Sequence, residues 1–149
     1  VNAAVKRPVI LFLCVQNAGR SQMAAAFARS MGGKRVDVRM GGTEPAKKVH
    51  PAVVETMTEV GIDLRRSKPR KPRDSDLREA HVVVTMGCGE ACPATPGKRH
   101  EEWEFADPEG EPKERVRAIR DALRDSVEDL LHSLGVAIAA PWNAAGEEE

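Results

Sequence analysis

Along this chain short, unbroken apolar runs alternate with longer stretches whose apolar residues fall at helical spacing. Val9-Ile10-Leu11-Phe12-Leu13 is apolar at every position, as expected of a central parallel strand covered on both faces. From Ser21 onward Met23, Phe27 and Met31 recur at steps of four, and Gly32-Gly33 supplies a stop; this predicts a helix. Val36 to Met40 alternates like a half-buried strand closed by Gly41-Gly42. His50-Pro51 opens a second helix with proline at its first position, and Val53, Met57 and Val60 face inward. Two prolines between residues 65 and 73 predict a loop, after which Asp74 or Ser75 caps a short helix reaching Ala80. His81 to Met86 reads as a third strand and Glu102-Trp103-Glu104-Phe105 as an edge strand. Lys113 to Leu134 is a long helix with Val116, Ile119, Leu123, Val127, Leu130, Leu131 and Leu134 on one stripe. Strands alternating with helices predict an α/β fold, a doubly wound sheet of about four parallel strands. A single domain over residues 1–149 is expected, with the tail from 135 to 149 disordered.

Composition narrows the class. With 41% apolar and 31% charged residues the chain reads as a soluble globule. No apolar run approaches the length of about 18 residues that a membrane span needs. Lys6 and Arg7 before an apolar run mimic a secretion signal, but the run is short and a polar loop follows at once. A cytoplasmic location is therefore expected. Three cysteines cannot pair off completely, which speaks against a secreted disulfide framework. The zero net charge hides a split, because residues 1–75 hold 15 basic and 6 acidic side chains and residues 76–149 hold 8 and 17. A small anionic substrate at the basic half, with chemistry supplied by the acidic half, fits that split.

Candidate chemistry sits after the first strand. Cys14-Val15-Gln16-Asn17-Ala18-Gly19-Arg20-Ser21 is a Cys-x5-Arg-Ser loop between a strand and a helix N-terminus. Such a loop cradles an oxyanion: amide N–H groups converge, the helix dipole favours negative charge, and Arg20 grips two oxygens in a fork. Gly19 and Asn17 are expected to supply the positive φ angles of a tight nest. The positive surroundings and the Ser21 hydroxyl favour a thiolate at Cys14.

With Asp107-Pro108 far downstream, this loop resembles that of the low-molecular-weight protein tyrosine phosphatase superfamily, and most of all its arsenate reductase branch coupled to thioredoxin. The likeness runs over about residues 8–134 and includes the Val-Val-Val-Thr strand and Cys92-Pro93. It implies a sheet of order 2-1-3-4, with strand 81–86 beside strand 9–13 and Cys88 and Cys14 emerging at the same sheet edge. It also implies that Asp107 is the general acid that protonates the departing oxygen.

A phosphatase needs only Cys14, Arg20 and Asp107, whereas reduction of arsenate to arsenite takes two electrons, which thiols can deliver. The resemblance implies a relay. Cys14 attacks arsenate, Cys88 attacks the adduct to give Cys14–Cys88, and Cys92 then forms Cys88–Cys92, which thioredoxin reduces. No cofactor or metal is expected. The absence of tyrosine and of flat aromatic walls favours a small oxyanion over phosphotyrosine. Zinc held by Cys88, Cys92, His81 or His100 competes weakly, for want of a paired Cys-x2-Cys knuckle. The Cys88-x3-Cys92 loop is shorter than usual in that branch, which implies a larger movement of Cys88. Some relatives hold potassium through a carboxylate where this chain has Ala25; the basic run Arg65 to Arg73 would supply a fixed charge instead. Without interleaved aromatics that run is not expected to bind nucleic acid. The protein is expected to act as a monomer, with arsenate and thioredoxin as partners; the alternatives are a low-molecular-weight protein phosphatase and a mycothiol-dependent arsenate reductase that uses Cys14 alone.

Overall fold

The computed structural model describes residues 7–138. Four strands, β1 (Val9–Cys14), β2 (Asp37–Gly42), β3 (Val82–Thr85) and β4 (Arg99–Glu102), form one parallel sheet of order β2-β1-β3-β4. The expected order 2-1-3-4 is borne out. Four helices accompany them: α1 (Arg20–Gly32), α2 (Pro51–Thr58), α3 (Asp74–Glu79) and α4 (Lys113–Ser133).

Being central, β1 is buried at all six positions, and its side chains alternate between two apolar layers. Ile10, Phe12 and Cys14 join the larger layer, built with Met23, Phe27, Val53, Met57, Leu123 and Val127 of α1, α2 and α4. Val9, Leu11 and Leu13 join a smaller layer with Ala80, Val83 and Cys88, against which Leu77 of α3 packs. The α4 stripe is as expected: six of the seven residues named above are buried and Leu134 is half-buried against the same core. No helix among the described residues is long and apolar enough to cross a membrane.

Four local expectations need correction. The edge strand lies at Arg99–Glu102, not 102–105. It pairs with Val82–Thr85, and Trp103 N–H donates to Thr85 O at 2.9 Å. Beyond Thr85 there is no partner strand, so Trp103 and Phe105 leave the ladder. Their alternation reflects ring packing instead: the Trp103 ring lies tilted 6.0 Å from Phe12 and edge-on 6.2 Å from Phe105. In β2 the pair Gly41-Gly42 continues the strand opposite Leu13 and Cys14 rather than closing it. In α3 the N-cap is Arg73, and the carboxylate of Asp76 accepts the Arg73 N–H at 2.8 Å, so neither Asp74 nor Ser75 is the cap. Asp76, almost wholly buried, also faces Arg39 at 3.4 Å and Arg70 at 3.5 Å. Those contacts pin the basic loop and α3 to the edge of β2.

The fourth correction concerns Gly19, whose φ is −142° and not positive. Its place is set by space, as described below. Of the tail, Val136 is buried and its N–H donates to Leu131 O at 2.9 Å, while Ala137 O accepts from Arg35 at 2.7 Å. Residues 139–149 lie outside the described residues.

Candidate active site

The loop from Cys14 to Ser21 is held from behind. The carbonyls of Cys14, Val15, Gln16 and Ala18 accept from the N–H groups of Thr43, Glu44, Ala46 and His50 at 3.1, 2.7, 3.0 and 3.0 Å. In a trans peptide the following N–H points opposite to the carbonyl, so the amides of Val15, Gln16, Asn17 and Gly19 turn to the other side. The Asn17 N–H accordingly donates to Cys14 Sγ at 3.3 Å. Helix α1 begins at Arg20 with neither a side-chain cap nor an acidic residue in its first turn. That leaves its first N–H groups and the positive end of its dipole directed into the loop.

Asn17, at φ 50°, is the left-handed residue of the loop. Its side chain locks that turn. Nδ2 donates to Ser21 Oγ at 2.6 Å, and Oδ1 accepts from Arg70 N at 3.0 Å and from Gln22 Nε2 at 3.3 Å. Gln22 is held in turn by Ser67, whose hydroxyl donates to Gln22 Oε1 at 2.7 Å. Ser21 Oγ lies 2.9 Å from Cys14 Sγ. Cys14, 2% exposed, is a free thiol.

Arg20 and Asp107 are brought together across the loop, with Nη2 3.7 Å from the Asp107 carboxylate. Arg20 is largely covered and also donates to Phe105 O at 3.1 Å, while Asp107 is half exposed. A side chain at Gly19 would put its Cβ 2.8 Å from Pro108 Cγ and 3.4 Å from the ring of His50. Gly19 therefore lets the Asp107-Pro108 segment close over the anion loop. Gly87, two residues past β3, makes room for Arg20 instead: its φ is +84°, and a Cβ there would meet the Arg20 guanidinium at 2.6 Å.

Cys88 and Cys92 are joined in a disulfide, their Cα atoms 5.2 Å apart. Both Cys14 and Cys88 stand at the carboxyl end of the sheet, one ending β1 and the other three residues past β3. They face different layers, however: Cys14 belongs to the larger core, and Cys88, 8% exposed, to the smaller.

The weaker zinc alternative is not assembled. Cys88 and Cys92 are tied to each other, His81 Nδ1 accepts the Val9 N–H at 3.0 Å, and His100 meets Thr85 Oγ1 at 2.9 Å. Among the described residues the grouped donor atoms are those of His50, Asp107 and Glu109, within 4.8 Å of one another. The Arg20 guanidinium beside Asp107 opposes a dication there, so the group reads as part of the mouth of the anion site.

The basic run reaches the site through the Ser67 hydroxyl and the Arg70 main chain rather than through its charges. Arg70 N serves Asn17 and Arg70 O accepts from Gly42 N at 2.8 Å, while its guanidinium turns toward Asp76. Arg65 pairs with Asp63.

Residues 9–139 match the family described as low molecular weight phosphotyrosine protein phosphatase. The chain belongs to that family. Within this family the similar proteins include arsenate reductases and, among solved structures, an arginine phosphatase of Geobacillus stearothermophilus that superposes with a TM-score of 0.74 at 27% identity, covering 86% of this chain and 93% of that one. A Halobacterium salinarum relative, provisionally named as an arsenate reductase, is 44% identical over 126 residues, covering 80% of this chain and 87% of its own. A glutaredoxin arsenate reductase of Synechocystis is 32% identical, covering 82% of this chain and 95% of its own. Among solved structures, a thioredoxin-dependent arsenate reductase of Corynebacterium glutamicum superposes with a TM-score of 0.77 at 37% identity; the match covers 89% of this chain and 64% of that one.

Of the residues expected at the site, Cys14, Val15, Gln16, Asn17, Ala18, Gly19, Arg20 and Ser21 form one loop, and Asp107 faces it. Cys88 and Cys92 lie at the same sheet end but in the other layer. Pro108, already marked by the Asp107-Pro108 pair, closes over the loop; Gln22, His50, Ser67, the Arg70 main chain and Gly87 also shape the site, and no local pattern in the sequence marks them.

Proposed function

We propose that this phosphatase-family chain reduces arsenate to arsenite at Cys14 and passes the oxidation to Cys88 and Cys92, with thioredoxin restoring the dithiol. One observation carries the reading: a free, buried Cys14 in an oxyanion loop coexists with a Cys88–Cys92 disulfide at the same end of the sheet. A phosphatase has no use for the second feature. A two-electron reductase that stops after its last internal exchange has this arrangement.

The steps balance. The Cys14 thiolate bonds to arsenic while one As–O bond breaks, and the proton from Asp107 lets that oxygen leave as water. Arg20 and the loop amides neutralise the oxygens that remain. Cys88 thiolate then attacks Cys14 Sγ; the S–As electron pair stays on arsenic, so arsenic(V) leaves as arsenite and Cys14–Cys88 forms. Cys92 thiolate attacks Cys88, freeing Cys14, and a thioredoxin dithiol reduces Cys88–Cys92 by the same exchange chemistry. Thiols carry both electrons, so the cycle calls for no cofactor, and it belongs in a reducing compartment such as the cytoplasm.

The test is arsenate-dependent NADPH consumption with thioredoxin and thioredoxin reductase. Turnover is expected with all three cysteines present and none with Cys88→Ser. Turnover supported only by a low-molecular-weight thiol, or retained in Cys88→Ser, would overturn the relay.

A further inference from the structure

Asp107 stands in residues 103–112, which contain neither helix nor strand, yet its carboxyl has to be held against the departing oxygen. That requirement rests on the arsenate reading above. We infer that His50 is the positioning residue for Asp107, mounting the proton donor on the anion loop itself. A ring nitrogen of His50 lies within 4.8 Å of a carboxylate oxygen of both Asp107 and Glu109.

The backbone of His50 is fixed in two directions. Its N–H donates to Ala18 O at 3.0 Å, inside the anion loop, and its carbonyl accepts from Val53 and Val54 at 2.9 and 3.1 Å as α2 begins. As N-cap of α2 it offers no side-chain cap bond, so the helix has no need of the imidazole. The ring instead lies against Gly19 beside Pro108. A carboxyl held within its own loop by the Glu109 N–H, 3.0 Å from Asp107 Oδ1, thus meets a rigidly mounted ring at the point where the two loops touch.

The charges around Asp107 explain what the ring does. Arg20, from α1, stands 3.7 Å away and Glu109 lies on the same loop. Once an oxyanion fills the loop, the Arg20 fork serves the anion and ceases to steer Asp107. Glu109 repels both the anion and any ionised form of its neighbour. The Glu109 N–H that Asp107 Oδ1 accepts belongs to the same loop and travels with it; His50 is the group outside that loop that the substrate does not claim, and its imidazole holds the Asp107 carboxyl in line. The proton that leaves with the departing oxygen is still that of Asp107; His50 transfers none.

A double-mutant cycle in the full chain tests this, read as single-turnover arsenite release at varied arsenate. His50→Ala should slow the saturating rate about tenfold and change the half-saturating arsenate concentration by no more than about twofold. In an Asp107→Asn background the same substitution should cost less than about twofold, because its effect passes through Asp107. His50→Asn, which keeps a good N-cap and a side-chain donor, should recover part of the rate and rules out misfolding as the cause. Equal losses in both backgrounds, or a weaker half-saturation with an unchanged rate, would overturn the inference while leaving the reductase reading intact. Asp107→Asn at the wild-type rate would remove the acid role of Asp107 and this inference with it.

Discussion

Asn17 is where the anion loop is most exposed to perturbation, because one side chain holds both its shape and its attachments. Asn17→Ala removes three hydrogen bonds, to Ser21 Oγ, from Arg70 N and from Gln22 Nε2. Each contributes about 1 kcal/mol net. It also forces a residue without a compensating side chain to stay at φ 50°, which costs a further ~1 kcal/mol. The expected loss is therefore about 4 kcal/mol for alanine. Asn17→Gly frees the turn but restores none of the bonds, and should lose about 3 kcal/mol. Urea unfolding of the oxidised chain, with Cys88–Cys92 intact in every variant, measures both losses. Titration with inorganic phosphate, an arsenate mimic, reports whether the loop still binds an oxyanion; both variants should bind at least about tenfold more weakly. A glycine variant as stable as the wild type would show that the three bonds contribute nothing. Equal losses for alanine and glycine would show that the left-handed turn carries no penalty. Either result would refute the reasoning.

Other consequences are as direct. Gly19→Ala pushes a methyl group to 2.8 Å from Pro108 Cγ. It should slow single-turnover arsenite release about tenfold by displacing Asp107, with phosphate affinity changed by less than about threefold; equal loss of both would mean that the anion loop itself had moved. Cys92→Ser should release one arsenite per chain and accumulate Cys14–Cys88, seen as a thiol count and by peptide mapping; undiminished steady turnover would refute its role. Glu59 joins α2 to α4, and its hydrogen bonds from Arg117 and then Arg120 hold its carboxyl down at about 2 against an ordinary 4.5. Because the folded value is depressed, the stabilisation is complete above the ordinary value and fades as pH falls toward 2. The pair is partly exposed, so Glu59→Gln should cost only about 1 kcal/mol at pH 7. In thermal melts that deficit should shrink steadily below pH 4.5.

The elements legible in the sequence are those whose residues signal burial. All six residues of β1 face apolar layers, so its hydropathy announces a central strand, and the α4 stripe is a continuous helical face. β4 gives no such signal: Arg-His-Glu-Glu is held by its ladder to β3, and its side chains stand largely in water. The Cys14 loop was readable because strand, loop and helix are contiguous. Its supports were not. Ser67 reaches Gln22 across 45 residues, Arg70 reaches Asn17 across 53 and Phe105 reaches Arg20 across 85. Such contacts exist only after the sheet order has folded distant segments together. His50 shows the difficulty well, since beside Pro51 it reads as a helix opener and nothing local points its ring toward Asp107.

The two layers of the sheet also set the terms on which a reductase can arise from this family's fold. Alternation along β1 turns Cys14 toward the layer of α1 and leaves the layer containing Leu13 free to shelter Cys88. That separation keeps Cys88 and Cys92 out of the anion loop, where Cys14 is the cysteine present. Cys88 is nevertheless one residue from Gly87, whose backbone lies against the Arg20 guanidinium. The backbone that carries the second thiol therefore already abuts the oxyanion site, and only the loop beyond Gly87 has to turn. Gly87, at φ +84°, is a conformation that glycine alone adopts at little cost; any side chain there would both strain the turn and displace Arg20. In the proposed relay, the residue that makes room for Arg20 to grip the substrate is thus also the pivot from which Cys88 would approach Cys14. Once thioredoxin opens Cys88–Cys92, Cys88 is still held by the small apolar cluster and by the turn in which its carbonyl accepts the Ala91 N–H at 3.0 Å. In the proposed relay both restraints have to yield before the Cys88 thiol crosses the end of β1, and as a small hydrophobe Cys88 gives up less buried surface than a larger side chain would.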